Sequence, residues 1–114
     1  MVEHWRKGRA PWEIEKQTTE KNIESYLRDE VKKIGGKAFK FVSPGNDGVP
    51  DRLIGLPGGR AIFVETKAPG KKSTPLQRKK QQELADLGFI VFADIDTKEK
   101  VDQVINFCKG LISA

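Results

Sequence analysis

The stretch Gly48 to Lys67, GVPDRLIGLPGGRAIFVETK, constrains the chain more than any other, because its spacing fixes which residues face one another. Asp51 opens an apolar run that closes at Leu56, Pro57-Gly58-Gly59 is a turn cluster, and Arg60 to Lys67 is a second run rich in β-branched and aromatic residues. Three-residue loops containing glycine are a common hairpin connection. With Leu56 opposite Arg60, antiparallel pairing keeps a constant sum and sets Asp51 opposite Glu65. Directly opposed side chains sit about 4.5–5.5 Å apart at Cβ, where like charges repel unless something positive lies between them. A divalent cation is the simplest such object. Alternation along the second strand puts Ala61, Phe63, Glu65 and Lys67 on one face and Ile62, Val64 and Thr66 on the other. Lys67 then stands on the carboxylate side, about 6.5–7 Å beyond Glu65.

Two carboxylates able to share a hard, oxygen-seeking cation, with an ammonium beside them, suit phosphodiester chemistry. Mg²⁺ or Mn²⁺ held this way lowers the pKa of a water, and a lysine steadies that water or the charge developing on phosphorus. A plainer reading stands beside this one. An Asp before a strand serves as a turn or edge residue, and a Glu-x-Lys pair on a strand forms a solvated face.

Upstream, Thr18 or Thr19 as N-cap, followed by Ile23, Tyr26, Leu27, Val31 and Ile34 at three- and four-residue spacing, predicts an amphipathic helix that Gly35-Gly36 stops. At about 100° per residue, Glu20 falls roughly 40° from the centre of the apolar stripe and Glu24 roughly 80° away, at its edge. A carboxylate aimed inward needs a partner, since burying it unpaired is costly. Glu20 is therefore a candidate third acidic ligand or a residue supporting the ligands, although the helix dipole also accounts for a first-turn glutamate.

Residues 37–42, KAFKFV, read as a first strand, and Ser43 to Pro50 as a loop with Asn46-Asp47-Gly48 as turn chemistry. After the hairpin, Ala68 to Ser73 is a basic connector. Thr74-Pro75-Leu76-Gln77 then starts a helix with Thr74 as cap and Gln77 closing a capping box. Lys71, Lys72, Arg78, Lys79 and Lys80 gather near that helix start, a candidate grip on a phosphate backbone or simply a solvated face. Gly88 ends the helix, and Phe89 to Ile95 is a continuous apolar run expected to be a strand buried on both faces. Thr97 caps a last helix whose Val101, Val104, Ile105, Cys108 and Leu111 form one apolar stripe. Residues 1–17 lack periodicity and read as a tail, or as an arm in which Trp5 or Trp12 stacks while Arg6, Lys7 and Arg9 touch phosphate.

A chain of 114 residues with 37% apolar content suits one domain with one core, here residues 18–114. Its net charge of +5 favours a polyanionic partner. The single cysteine, Cys108, excludes an intrachain disulfide and a zinc-finger pattern. Absence of a long apolar run or a signal core makes a soluble, cytoplasmic protein the expectation.

Gly48-Val49-Pro50-Asp51-Arg52 and Val64-Glu65-Thr66-Lys67, with Glu20 on the preceding helix and Ser73-Thr74-Pro75-Leu76-Gln77 following, resemble the VRR-NUC domain family of the PD-(D/E)XK nuclease superfamily. The resemblance covers roughly residues 19 to 108. It implies a restriction-endonuclease-like α/β fold of order α-β-β-β-α-β-α, a central mixed sheet flanked by helices. By the same resemblance Asp51 and Glu65, with the Thr66 carbonyl and help from Glu20, hold Mg²⁺ or Mn²⁺, Lys67 orients or activates water, and Gln77 approaches the site. Arg52, Lys71, Lys72, Arg78 and Lys79 are the candidate DNA-binding cations. Small stand-alone phage and bacterial members imply a homodimeric endonuclease on branched DNA such as Holliday junctions. A non-catalytic module binding branched nucleic acid, or a duplex or flap nuclease of the same fold, are the alternatives.

Overall fold

The computed structural model describes residues 19–114; the tail or arm of residues 1–17, and Thr18 as an alternative cap, lie outside the described residues. Seven elements follow in the order α-β-β-β-α-β-α: α1 (Glu20–Lys33), β1 (Lys37–Lys40), β2 (Arg52–Leu56), β3 (Arg60–Thr66), α2 (Pro75–Asp86), β4 (Ile90–Ile95) and α3 (Lys98–Ser113). Thr19 caps α1 by accepting from the Asn22 amide at 3.2 Å, and Gly35, at φ +88°, takes the left-handed conformation that stops it.

The strands form one mixed sheet of order β1-β2-β3-β4, with β1, β2 and β3 antiparallel and β4 parallel to β3. A parallel neighbour requires a crossover, which α2 supplies. The hairpin register is the one its loop length demands: Leu56 pairs with Arg60 and Arg52 with Val64. Gly58 and Gly59, at φ +93° and +82°, make the turn.

On one sheet face Ala38, Ile54, Leu56, Ile62, Val64 and Ile95 pack against Ile23, Leu27 and Val31 of α1 and Val101, Val104, Ile105 and Cys108 of α3. Phe63 points the other way and meets Phe41 and Phe89 edge-on, both at 5.3 Å between ring centroids. Among the described residues no helix is long and apolar enough to cross a membrane.

Two expectations change. The first strand ends at Lys40 rather than Val42, and Ala38 of that strand faces the core while Phe39 is half exposed. The loop takes over from there, anchored by the Phe41 amide donating to the Asp51 carbonyl at 2.8 Å. β4, expected to be buried on both faces, has only Ile95 buried. It is an edge strand, and its neighbour α2 has no buried residue.

Gly36 sits where α1 hands over to the sheet. A Cβ there would lie 2.7 Å from the Gly55 carbonyl oxygen and 3.0 Å from Val31 Cγ1. Gly110, inside α3, has open space instead. Gly36→Ala should therefore destabilise the protein by about 1–3 kcal/mol, and Gly110→Ala should stabilise it by about 0.5–1 kcal/mol. Urea denaturation of the two variants beside the wild type measures both signs.

Candidate active site

The site forms at the end of the β2–β3 hairpin remote from its turn. Asp51 immediately precedes β2, and continuing the observed ladder by one step sets it opposite Glu65. Both carboxylate oxygens of Asp51 are held by one residue: Oδ1 accepts from the Thr66 amide at 2.9 Å and Oδ2 from the Thr66 hydroxyl at 2.6 Å. Thr66 is fully buried, so this clamp is rigid. Burial drives the Asp51 pKa above the usual carboxylate value, the Thr66 bonds pull against it, and the Glu24 charge adds to the rise.

The N-terminal turns of α1 bring more carboxylates. Glu20, Glu24 and Asp51 each present an oxygen such that the three lie within 4.8 Å of one another. Burial raises the Glu20 pKa first, with Asp51 and Glu24 adding to it and Lys67 opposing. Glu65 is 4% exposed, and its Oε1 is buried with no hydrogen-bond partner among the described residues. Its pKa is pushed up to about 8, chiefly by burial and then by the Asp51 charge, with Lys67 pulling down and Glu20 pushing further up.

An orphaned buried oxygen beside three converging carboxylates is a set of hard oxygen donors that suits a divalent cation such as Mg²⁺ or Mn²⁺. Glu24 was read only as the edge of an apolar stripe. The signal that would have found it is its position four residues after Glu20, one helical turn along the same face.

Lys67 follows β3 and donates from Nζ to Gln77 Oε1 at 2.6 Å. The same Gln77 oxygen accepts from the Thr74 amide at 2.9 Å, and the Gln77 amide donates to Thr74 Oγ1 at 3.2 Å. One atom thus closes the capping box of α2 and holds the ammonium at the site, so both readings of Gln77 coexist.

The base of α2 is itself fastened to β4. Between Val64–Phe92 and Thr66–Ile95 the parallel ladder gains one residue on β4, and Asp94, at φ +55°, lies in that bulge. Its Oδ1 accepts from both the amide and the hydroxyl of Ser73, each at 2.7 Å, and Gln81 Nε2 donates to the same hydroxyl at 2.9 Å. Burial works to raise the Asp94 pKa, but the Ser73 bonds together with Arg78 and Lys72 hold it below the usual value. Asp94 carries no motif. Only the bulge gives it this role.

Among the candidate DNA-binding cations, Lys71, Lys72, Arg78 and Lys79 are exposed around the start of α2. Lys80, of the same cluster, lies 3.7 Å from Glu83. Arg52 does not belong with them: it is buried on the core side and donates from Nη2 to Glu24 at 2.9 Å. Alternation explains this, because a residue following Asp51 must point to the opposite face of β2. There its guanidinium steadies one member of the acidic cluster.

The raised carboxylate pKa values have a consequence for stability. A carboxyl group whose folded pKa lies above its ordinary value favours folding while protonated, so that contribution is whole below about pH 4.5 and lost as pH rises toward 8. In EDTA, wild-type melting temperature should fall by at least ~5 °C between pH 5 and pH 8.5, and Glu65→Gln should flatten the slope. Scanning calorimetry across that range tests it, and a flat wild-type profile would contradict the assignment of Glu65 as a buried, unpaired acid.

With this geometry in hand, the similarities to known proteins are specific. No family model matches the chain. It is similar to the protein named Putative nuclease p44 of Acyrthosiphon pisum secondary endosymbiont phage 1, at 59% identity over 69 residues, which span 60% of this chain and 74% of that one. It is also similar to a solved structure described as a VRR_NUC domain, with a TM-score of 0.71 and 30% identity, covering 78% of this chain and 96% of that chain. Identity at that level over nearly the whole of a solved domain, with the same fold, places the chain in the VRR-NUC family.

Proposed function

We propose that this chain is a divalent-metal-dependent endonuclease that hydrolyses phosphodiester bonds in branched DNA, four-way junctions above all, and works as a homodimer in the cytoplasm of a bacterial or phage-infected cell. The observation that carries the reading is the buried, unpartnered Oε1 of Glu65 beside the Glu20, Glu24 and Asp51 carboxylates, with the Lys67 ammonium next to them. Kinship with the VRR-NUC domain and with a phage protein named as a nuclease supports it.

Glu20, Glu24, Asp51 and Glu65 are the residues that would hold Mg²⁺ or Mn²⁺, with the Thr66 carbonyl as a further candidate. A bound cation would supply Lewis acidity toward the scissile phosphate and a lowered pKa for water. The chain's own groups do the rest. Thr66 fixes Asp51 by two hydrogen bonds, so this carboxylate needs no rearrangement when substrate arrives. Lys67, aimed by Gln77, orients the water that attacks phosphorus or steadies the charge that builds on the phosphoryl oxygens as the P–O ester bond breaks. Lys71, Lys72, Arg78 and Lys79 draw the phosphate backbone toward the α2 terminus. Two symmetric cuts resolve a four-way junction, and a two-fold dimer supplies two such sites.

Incubating end-labelled four-way junction, flap and linear duplex with Mg²⁺, Mn²⁺ or EDTA tests the proposal. Wild type should nick the junction symmetrically and only with metal. Glu65→Gln and Asp51→Asn should lose at least ~10²-fold in rate, a loss in the range seen on removing one electrostatic catalytic group, while junction binding is kept or improved because carboxylate repulsion of phosphate is gone. Cleavage unchanged in both variants would overturn the site. Binding without cleavage by the wild type would instead point to a recognition module, and cuts on plain duplex to a nuclease with another substrate.

A further inference from the structure

The four-residue steps along α1 run on past its carboxylates. Glu20, Glu24, Arg28 and Lys32 succeed one another at spacings of about 6 Å along the axis and about 40° of rotation. The stripe therefore begins at the acidic cluster and turns basic. At its basic end α1 and β1 bound a groove of about 450 Å³, lined by Arg28, Asp29, Lys32, Gly36, Lys37 and Ala38.

Two cations, Arg28 and Lys32, against the Asp29 carboxylate leave this groove net positive, and both are exposed. Arg28 donates at 3.3 Å to the neutral hydroxyl of Ser25. Lys37 only borders the groove: it alternates with the core-facing Ala38, and its Nζ lies 5.0 Å from the centroid of the Phe39 ring on the other face of the sheet.

Sheet order decides what this groove faces. β1 is one edge and β4 the other, with the hairpin that carries Asp51 and Glu65 between them. The cations at the start of α2 lie on the β4 side, and the groove lies on the β1 side. We propose that the α1–β1 groove is a second DNA-backbone site, in which Arg28 and Lys32 hold phosphates of the strand that enters the carboxylate cluster, two to four nucleotides from the scissile bond.

The spacing fits. Arg28 and Lys32 stand about 6 and 12 Å along the helix from Glu24, which is roughly two to four steps at the 3.4 Å rise of one DNA strand. With cations on both sides, the substrate strand is gripped across the acidic centre, whose own charge repels phosphate. The proposal rests on the nuclease reading for where the strand goes, but its binding surface is separable from cleavage.

The test is fluorescence anisotropy of a labelled four-way junction in Ca²⁺ and in EDTA, from 50 to 300 mM NaCl, with parallel cleavage assays in Mg²⁺. Proteins compared are the wild type, the double variant Arg28→Gln/Lys32→Gln, and a charge-matched control on α3, Lys98→Gln/Lys109→Gln. Melting temperatures verify folding, and Lys32→Gln alone, on an exposed helix face, serves if the double variant is unstable.

The groove variant should bind at least tenfold more weakly at 100 mM NaCl. Its slope of log affinity against log salt should be shallower by about 1.4–1.8, since each lost phosphate contact removes about 0.7–0.9. Lys32→Gln alone should lose a single such contact. An unchanged slope, or a loss no greater than the control's, overturns the proposal, as does a groove that takes up inorganic phosphate while the variant binds DNA normally. If wild type binds through the groove but cuts nothing, the nuclease reading fails and the groove stands; if it cuts and the groove variant binds normally, the reverse holds.

Discussion

Four carboxylates, Glu20, Glu24, Asp51 and Glu65, are held where like charges repel, and the rest of the structure is arranged to keep them there. Left to relax, each would turn toward water. The hairpin prevents it for two of them, because a three-residue loop and a fixed ladder bring Asp51 across from Glu65 whatever their charges prefer. Thr66 closes off the alternative for Asp51 by occupying both its oxygens. The α1 N-terminus contributes the other two from a helix whose Ile23, Leu27 and Val31 are completely buried, so hydrophobic packing on one face holds acidic charge on the adjoining one. Part of the tension is met within the chain: Arg52, buried beside the core, neutralises Glu24 at 2.9 Å. Among the described residues Glu65 is the one of the four with a buried carboxylate oxygen that accepts no hydrogen bond, and that singles it out.

A second scaffold secures the ammonium side. Lys67 has left the sheet, and an exposed lysine would lose its direction to rotamer freedom. Gln77 restores the direction, yet Gln77 stands on a helix that buries none of its residues and so is poorly held by packing. The α2 base is fixed by polar contacts instead. Asp94 grips Ser73 twice, from a left-handed backbone conformation that asparagine, aspartate and glycine tolerate better than other residues. The β4 bulge that creates this conformation lies opposite Glu65, so the irregularity in the ladder and the acidic cluster share one place.

How much of this was legible in the sequence follows from which forces are local. Hairpin register, the Thr19, Thr74 and Thr97 caps, the helix stop at Gly35 and the apolar stripes all depend on spacings within a few residues, and all were readable. Glu20 was legible as a candidate partner of the Asp51 site from its phase on the helix, whereas the Lys67–Gln77 contact came through the resemblance to a family. Arg52 was misplaced because a motif reads as a unit, whereas alternation sends its neighbours to opposite faces. Glu24 was overlooked because attention to the apolar stripe hid the four-residue step from Glu20. Asp94 was beyond reach: a bulge is a property of how two strands pair, and β4 has no sequence mark of one. The double burial expected for β4 failed for a similar reason, because strand order, which makes it an edge, is a long-range property.

The unpaired Glu65 also explains why such a small domain tolerates strain at its centre. A folded domain is stable by only about 5–15 kcal/mol, so clustered acids consume an appreciable part of that margin. Pairing each acid with its own arginine, as Glu24 is paired with Arg52, would recover stability and fill the donors a cation needs. Among the described residues the fold does this once, at Glu24, and leaves the oxygen of Glu65 open. Any divalent cation entering the cluster then binds the folded chain and not the unfolded one, so occupancy and folding are thermodynamically linked. What is a defect in the isolated chain would become, by that linkage, a source of affinity for such an ion.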